Sequence, residues 1–102
     1  MKLRALLQDI SILDAAADLE QDISGISYDS RAVAPGQAFV AVSGFTADGH
    51  KFIPMAREKG AAVVICEKKP ADGKSYVRVG STRAALAQMA ANWYGHPTEQ
   101  MS

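Results

Sequence analysis

The sequence has 102 residues, the usual size of one domain, with 11 basic and 11 acidic side chains. Because 48% of the residues are hydrophobic and 22% are charged, we expect a folded core. No basic excess is present to neutralise phosphates, which argues against nucleic acid as a partner. The longest apolar run, 61–66, is too short to cross a bilayer, and the first nine residues lack a signal-peptide pattern. We therefore expect a cytoplasmic domain without a membrane partner.

The predicted elements begin with a short helix. Its apolar face is formed by residues at i, i+3, i+4 and i+7, namely Leu3, Leu6, Leu7 and Ile10. The alanines at 15–17 favour continued helix, although their register is open. A strand is predicted over 23–28, with Ile26 and Tyr28 on the same face. Pro35 and Gly36 predict a turn before a second strand at 38–42.

The second half alternates helices and strands. A helix is predicted from a cap at Asp48 to about Lys59, with the apolar residues Phe52, Ile53 and Ala56 on one face and Gly60 as its left-handed end. The continuous apolar run 61–66 predicts a strand buried on both faces, and another strand is predicted at 76–79. The last helix is expected to begin at Ser81 or Thr82 and to stop at 95–97, and its inward residues are Ala85, Leu86, Met89, Ala90 and Trp93. This alternation indicates a three-layer α/β/α domain around a mostly parallel, mixed sheet.

Three features of the sequence suggest catalytic or metal chemistry, but none of them fits it. Gly73-Lys74-Ser75 lacks the earlier glycine of a phosphate loop, because position 68 is Lys, and a strand follows it instead of a helix. Cys66 belongs to an apolar run and is interpreted as a core residue; as the single cysteine it also excludes a disulfide. His50 and His96 have no ligands at metal-binding spacing, so no metal site is expected.

Two polar loops follow predicted strands and are candidates for a binding site. Asp29-Ser30-Arg31 follows the first strand, and the run from Gly44 to His50 follows the second. Ligands of open α/β sheets gather at the carboxyl ends of strands, and glycines let the backbone approach a ligand closely. The alternative for each loop is an ordinary connection, in which Asp29 and Asp48 only cap backbone amides. Together the loops suggest a shallow site for a polar small molecule.

The residues of these loops resemble a known family. The shared runs are Gly-Ile-Ser-Tyr-Asp-Ser-Arg at 25–31, Pro-Gly-Gln-Ala-Phe-Val-Ala at 35–41, Asp-Gly-His-Lys-Phe-Ile at 48–53 and Asn-Trp-Tyr-Gly-His-Pro at 92–97, with Gly44, Ala56, Gly60 and Ala61 between them. From about residue 2 to 102 the chain resembles the N-terminal domain of bacterial Mur ligases. The Asp-Ser-Arg, Pro-Gly and Asp-Gly-His elements are common to the MurE and MurF branches. Tyr28 and the run at 92–97 favour the MurE branch.

The resemblance implies a substrate-binding domain at 1–97 and a linker at 98–102 toward a central ATPase domain. Such ligases use ATP and Mg²⁺ to add the third peptide residue, L-lysine or meso-diaminopimelate, to UDP-N-acetylmuramoyl-L-alanyl-D-glutamate. The family's UDP-contacting positions correspond here to Tyr28, Ser30, Phe45, Thr46 and Ala47. The motif residues that it implies for loop architecture are Asp29, Arg31, Gly44, Asp48, Gly49 and His50.

Two alternatives stay open at this point. One is the equivalent domain of a MurF-type ligase, and the other is an α/β interaction module without enzymatic function. For the leading interpretation we expect no catalytic residue, metal or cofactor within the chain itself. Its partners would be the small-molecule UDP substrate and the other domains of the same polypeptide.

Overall fold

A computed structural model describes residues 2–42, 52–70 and 73–94, with the side chain of Ser30 left out. The described elements are α1 (Leu3–Leu6), β1 (Ile12–Ala15), β2 (Gly25–Ser27), a 3-10 helix (Ser30–Ala32), β3 (Gln37–Val40), α2 (Ile53–Glu58), β4 (Val63–Cys66), β5 (Tyr76–Val79) and α3 (Thr82–Trp93). The strands form one sheet in the order β1-β5-β4-β3-β2. Strands β2 to β5 are parallel, and β1 pairs antiparallel with β5. The predicted mixed α/β fold is confirmed.

Each central strand contributes alternate side chains to two cores. Ala38 and Val40 of β3 pack with α1 and α3 on one face of the sheet, in a cluster that contains Leu3 and Met89. The intervening Phe39 packs on the other face, where α2 supplies Ile53 and Ala56 to the second cluster. Strand β4 is fully buried, as its continuous apolar run predicted. The sheet therefore lies between two helical layers.

The first strand contradicts the helical interpretation of 15–17. Ile12–Ala15 is an edge strand, in which Ala15 pairs with Val77 of β5, and the next residue donates from its backbone N–H to the Tyr76 carbonyl at 2.9 Å. The helix propensity of alanine is weak, and pairing with a distant strand overrides it. Helix α1 is also shorter than predicted, although Leu3, Leu6 and Leu7 are buried as expected.

The helix ends agree with the predicted caps where they are described. Gly60 follows α2 with a φ of 99°, and a Cβ there would lie 2.8 Å from the Pro35 Cα, so this site requires glycine. Ser81 is the N-cap of α3, and its Oγ accepts from the Ala84 amide at 3.3 Å. Of the three apolar residues predicted to share a face of this helix, Ile53 and Ala56 are buried, whereas Phe52 precedes α2 and is 39% exposed. Asp48 and the predicted stop at 95–97 lie outside the described residues.

Helix α3 has a buried polar residue that the sequence did not reveal. Asn92 is 6% exposed, and its Nδ2 donates to the carbonyls of Leu6 and Gln8 at 2.9 and 2.8 Å. These bonds satisfy carbonyls at the end of α1, where no further helical turn could do so. The contact joins the first and last helices of the domain. Among the described residues, no helix has the length and apolar character needed to span a membrane.

Candidate functional site

The candidate site lies where the parallel strands end. Strand β2 ends at Ser27 and leads into Tyr28 and Asp29, while β3 ends at Val40. Since β2 and β3 are adjacent and parallel, with Ser27 paired to Phe39, the two following segments leave the same edge of the sheet from neighbouring strands. This is the edge at which open α/β sheets bind ligands.

The segment after β2 is a tightly bonded turn centred on Asp29. The Asp29 carboxylate accepts from the Arg31 amide at 2.9 Å, which makes Asp29 the N-cap of the 3-10 helix. Its carbonyl accepts from the Ala32 amide at 2.9 Å and from the Ser27 hydroxyl at 3.0 Å. Capping by Asp29 is the feature that the alternative interpretation of this loop described, and the contribution of Ser27 was not predicted.

The charges of this turn are paired with each other. The Arg31 guanidinium donates to both Asp29 carboxylate oxygens, at 3.3 and 3.4 Å. The backbone hydrogen bond from Arg31, followed by the bonds from its guanidinium, lowers the pKa of the Asp29 carboxyl below the ordinary 3.8. Asp29 is therefore an ionised hydrogen-bond acceptor near neutral pH, and it is unsuited to act as a general base. The Arg31 side chain is 83% exposed, which leaves its outer surface open to solvent.

The predicted binding residues are only partly described. The Tyr28 side chain is 70% exposed at this edge, with its ring accessible to a ligand. Ser30 begins the 3-10 helix, but its side chain is outside the described part. The remaining predicted residues also lie outside the described ranges, and they are Gly44, Phe45, Thr46, Ala47, Asp48, Gly49 and His50. Their proximity to Tyr28 stays a prediction.

A different cavity, of about 430 Å³, opens at the β5 end of the same edge. It is lined by residues 9–11, by Val79 to Ser81 and by the first turns of α3, and the predicted uridine residues are not part of it. Two amides in the first turn of α3 are already bonded within the chain: the Thr82 amide donates to Glu67 Oε2 at 2.8 Å, as does the Thr82 hydroxyl at 2.9 Å, and the Ala84 amide donates to Ser81 Oγ at 3.3 Å. The Glu67 carboxylate therefore lies at the helix N-terminus, where a phosphate would otherwise be attracted.

The described residues include neither a phosphate loop nor a cluster of metal-ligating side chains. Gly73-Lys74-Ser75 leads directly into β5, and the Lys74 carbonyl accepts from the Arg57 guanidinium. A phosphate loop instead opens onto a helix. Within 2–42, 52–70 and 73–94 there is no group of three His, Cys, Asp or Glu residues placed to hold a metal. ATP and Mg²⁺ are therefore assigned no residue of this part of the chain.

Ser27 belongs to the turn of the candidate site, and the sequence analysis did not single it out. It is 8% exposed and lies at the end of β2, where its hydroxyl also accepts from the Asp29 amide at 3.4 Å. A small polar residue directly before a candidate binding loop, within an otherwise apolar strand, is the signal that could have identified it. The hydroxyl can act as donor and acceptor at once, which the turn requires.

Comparisons with known proteins define the family of this α/β domain. The family model described as "Mur ligase family, catalytic domain" matches residues 22–94, and the chain belongs to the Mur ligase family. A ligase of Phocaeicola vulgatus named UDP-N-acetylmuramoyl-L-alanyl-D-glutamate--2,6-diaminopimelate ligase is 39% identical over 99% of this chain and 22% of its own length. The UDP-N-acetylmuramyl-tripeptide synthetase of Roseiflexus sp. is 44% identical, over 99% of this chain and 20% of that protein.

A solved structure supports the same assignment. MurF from Acinetobacter baumannii superimposes with a TM-score of 0.75 at 28% identity, covering 89% of this chain and 20% of that one. The resemblance to Mur ligases is thus confirmed, and the names of the two sequence relatives agree with the predicted MurE branch. The chain spans about a fifth of the length of these relatives.

Proposed function

We propose that this chain is the UDP-binding domain of an ATP-dependent ligase that adds the third peptide residue to UDP-N-acetylmuramoyl-L-alanyl-D-glutamate. Residues 1–97 would form this domain, and 98–102 would lead toward an ATPase domain. The observation that carries the proposal is the hydrogen-bonded turn at Tyr28–Arg31, which lies at the carboxyl edge of the sheet. It is supported by the 39% identity between this chain and a UDP-N-acetylmuramoyl-L-alanyl-D-glutamate--2,6-diaminopimelate ligase.

The chemistry of the turn suits a uridine. Uracil presents a donor and two acceptors on its edge, which hydroxyl groups and backbone amides can match. The exposed ring of Tyr28 offers a stacking surface beside them. We assign Tyr28 and Ser30, with Phe45, Thr46 and Ala47 from the loop after β3, to this part of the substrate. The turn needs no ionisable catalyst, because binding alone is its proposed task.

The reaction itself would take place on other domains of the same polypeptide. In the proposed ligase, ATP and Mg²⁺ supply the activation of the D-glutamate carboxylate, and the amine of the incoming residue completes the amide. L-lysine and meso-diaminopimelate both remain candidates for that residue. Because the chain spans about a fifth of its relatives, most of the proposed enzyme lies outside it. A cytoplasmic location stays a prediction.

The first test is a titration of the purified chain with UDP, followed by isothermal calorimetry and by amide NMR shifts. We expect saturable binding, with the largest shifts at residues 28–31, and no comparable binding of ADP at the same concentrations. Ser30→Ala should weaken binding by about 0.5–1.5 kcal/mol, as for loss of one neutral hydrogen bond, with an unchanged free energy of unfolding.

Three results would contradict the proposal. The first is absence of UDP binding, which would favour the interaction module. The second is equal affinity for ADP, which would mean that uracil is not recognised. The third is a Ser30→Ala variant that loses stability but keeps its affinity, since that pattern describes an ordinary turn residue.

The MurF-type ligase is the second candidate, because the similar solved structure from Acinetobacter baumannii is a MurF. UDP binding cannot separate the two candidates, since both would bind the same nucleotide. The full-length gene product separates them by the amine that it incorporates. We expect incorporation of L-lysine or diaminopimelate into the UDP-linked dipeptide, and incorporation of D-alanyl-D-alanine into the tripeptide would assign the chain to MurF.

A further inference from the structure

We propose that Ser27 is a positioning residue, whose hydroxyl holds the Tyr28–Arg31 turn in the conformation that binds the UDP ligand. This inference rests on the proposed uridine site and adds to it a residue that does not touch the ligand. The carrying observation is a pair of hydrogen bonds between Ser27 Oγ and the backbone of Asp29. Oγ donates to the Asp29 carbonyl at 3.0 Å and accepts from the Asp29 amide at 3.4 Å.

The location of Ser27 separates this task from direct ligand contact. Ser27 is 8% exposed and pairs with Phe39 in the sheet, so its backbone is fixed by β3. Tyr28, the next residue, is 70% exposed and lies between Ser27 and the bonded Asp29. The Ser27 hydroxyl thus links the residue before Tyr28 to the residue after it. The backbone of Tyr28, whose ring offers the aromatic surface, is therefore held on both sides by contacts to the end of β2.

Among the described residues, the other bonds of Asp29 do not replace this contact. Its carboxylate and carbonyl accept from the amides of Arg31 and Ala32, so those bonds connect Asp29 only to the residues that follow it. Ser27 supplies the side-chain bond that ties Asp29 back to the sheet. Without it, Tyr28 and Asp29 would sample several backbone conformations, and binding would have to restrict them again. The expected consequence is weaker binding by a correctly folded protein.

The test compares three variants with the wild-type chain by UDP titration and urea unfolding. Ser27→Ala should weaken UDP binding about fivefold to tenfold, which is the size of effect expected from the net loss of a hydrogen bond. Ser27→Thr keeps the hydroxyl and should restore most of the affinity. Ser24→Ala is the matched control, because Ser24 Oγ also donates to a backbone carbonyl, that of Pro35 at 3.2 Å, but before β2. Its UDP affinity should equal that of the wild type.

A structural readout distinguishes positioning from general destabilisation. In the ligand-free chain, hydrogen exchange at the Asp29 amide should accelerate in Ser27→Ala and remain slow in Ser27→Thr and Ser24→Ala. If Ser27→Ala does not fold, Ser27→Cys takes its place, with a weaker donor and an expected intermediate affinity.

Each outcome has one meaning. Wild-type affinity in Ser27→Ala, or an equal loss in Ser24→Ala, overturns the positioning role while leaving the uridine site intact. Failure of the wild-type chain to bind UDP overturns the uridine site, and the role of Ser27 with it. A loss in Ser27→Ala that Ser27→Thr does not restore also overturns the inference, because the hydroxyl would then not be the cause.

Discussion

Ser27, Asp29 and Cys66 are all polar or ionisable residues near strand ends, yet their surroundings give them different roles. Ser27 and Asp29 direct their polar atoms toward the backbone of an exposed turn. Cys66 is completely buried at the end of β4, where its thiol donates only to the Val77 carbonyl at 3.6 Å. The difference follows from burial: Ser27 and Asp29 bond to an exposed turn, whereas Cys66 is enclosed in the cluster that contains Phe39 and Val64.

The thiol of Cys66 should be unreactive in the native protein. Burial raises its pKa from 9.0 to about 11, with smaller opposing effects from Arg57 and Arg78. At pH 8 only about one molecule in a thousand would carry the reactive thiolate, and solvent access is also missing. Labelling by a disulfide reagent should therefore proceed at the rate at which the protein opens. Rapid labelling without urea, at a rate independent of stability, would contradict this.

Alkaline pH and substitution provide two further checks on Cys66. Folding raises the pKa of Cys66, so the unfolded chain loses the thiol proton at a lower pH than the folded chain does. The contribution of Cys66 to the free energy of unfolding is therefore complete below pH 9 and is lost as the pH rises toward 11. Cys66→Ser should lower the free energy of unfolding by about 1–3 kcal/mol, since a hydroxyl is costlier to bury than a thiol. Cys66→Ala is the control that removes the polar atom, and it should no longer show the thiol's part of the alkaline loss.

At the scale of elements, β1 shows how a distant contact defines a strand that local sequence does not. Its four residues are all exposed, and the register shifts between Ile12 and Asp14. Asp14 nevertheless accepts from the Tyr76 hydroxyl at 2.5 Å, across 62 positions of the chain. This bond and the ladder with β5 keep the edge strand in place. A bulge at an edge also discourages pairing with another chain.

Tyr76→Phe should destabilise the domain in a manner that depends on pH. The Tyr76 bond lowers the pKa of Asp14 below 3.8, and the same bond raises the pKa of Tyr76 above 10.0. The contribution of the carboxylate is lost as the pH falls through its lowered pKa, and that of the phenol is lost as the pH rises through its raised pKa. The gap in unfolding free energy between wild type and Tyr76→Phe should therefore be largest between pH 3.8 and 10.0.

Two controls apply to the Tyr76 prediction. Tyr94→Phe removes a hydroxyl from a tyrosine that is 72% exposed, and it should leave the free energy of unfolding unchanged. Asp14→Asn combined with Tyr76→Phe should cost less than the sum of the two single changes, because both remove the same bond. A gap that stays constant from pH 3 to pH 11 in urea titrations would show that the bond contributes nothing to stability.

For the whole molecule, the sequence was most informative where a structural feature depends on residues close to it in the chain. The continuous run that became β4, the glycine after α2 and the cap at Ser81 were predicted because each depends on nearby residues. The strand at β1 and the burial of Asn92 could not be predicted, because their partners are 62 and 84 or more residues away. Their energetic cause exists only after the sheet has formed.

In the candidate site, too, the features that depend on local sequence were predicted and those that depend on the folded turn were not. The loop residues were recognisable from their types and their position after strands, and the family assignment is now confirmed. Ser27 was overlooked because its role depends on a turn whose closure no local pattern describes. Whether the residues after β3 meet Tyr28 stays a prediction, although the adjacency of β2 and β3 supports it.

The division of labour proposed for the whole enzyme predicts that this chain alone neither hydrolyses ATP nor forms an amide. Lys74 is the residue most similar to a phosphate-loop lysine, but its segment enters β5, and its carbonyl is bonded by Arg57. The long helix α3 offers no substitute, since Glu67 occupies its first amide. Phosphate release from ATP and Mg²⁺ should equal that of buffer, with or without UDP substrate and amino acid. Lys74→Ala and the control Lys69→Ala should behave identically, and turnover that only Lys74→Ala abolishes would refute the prediction.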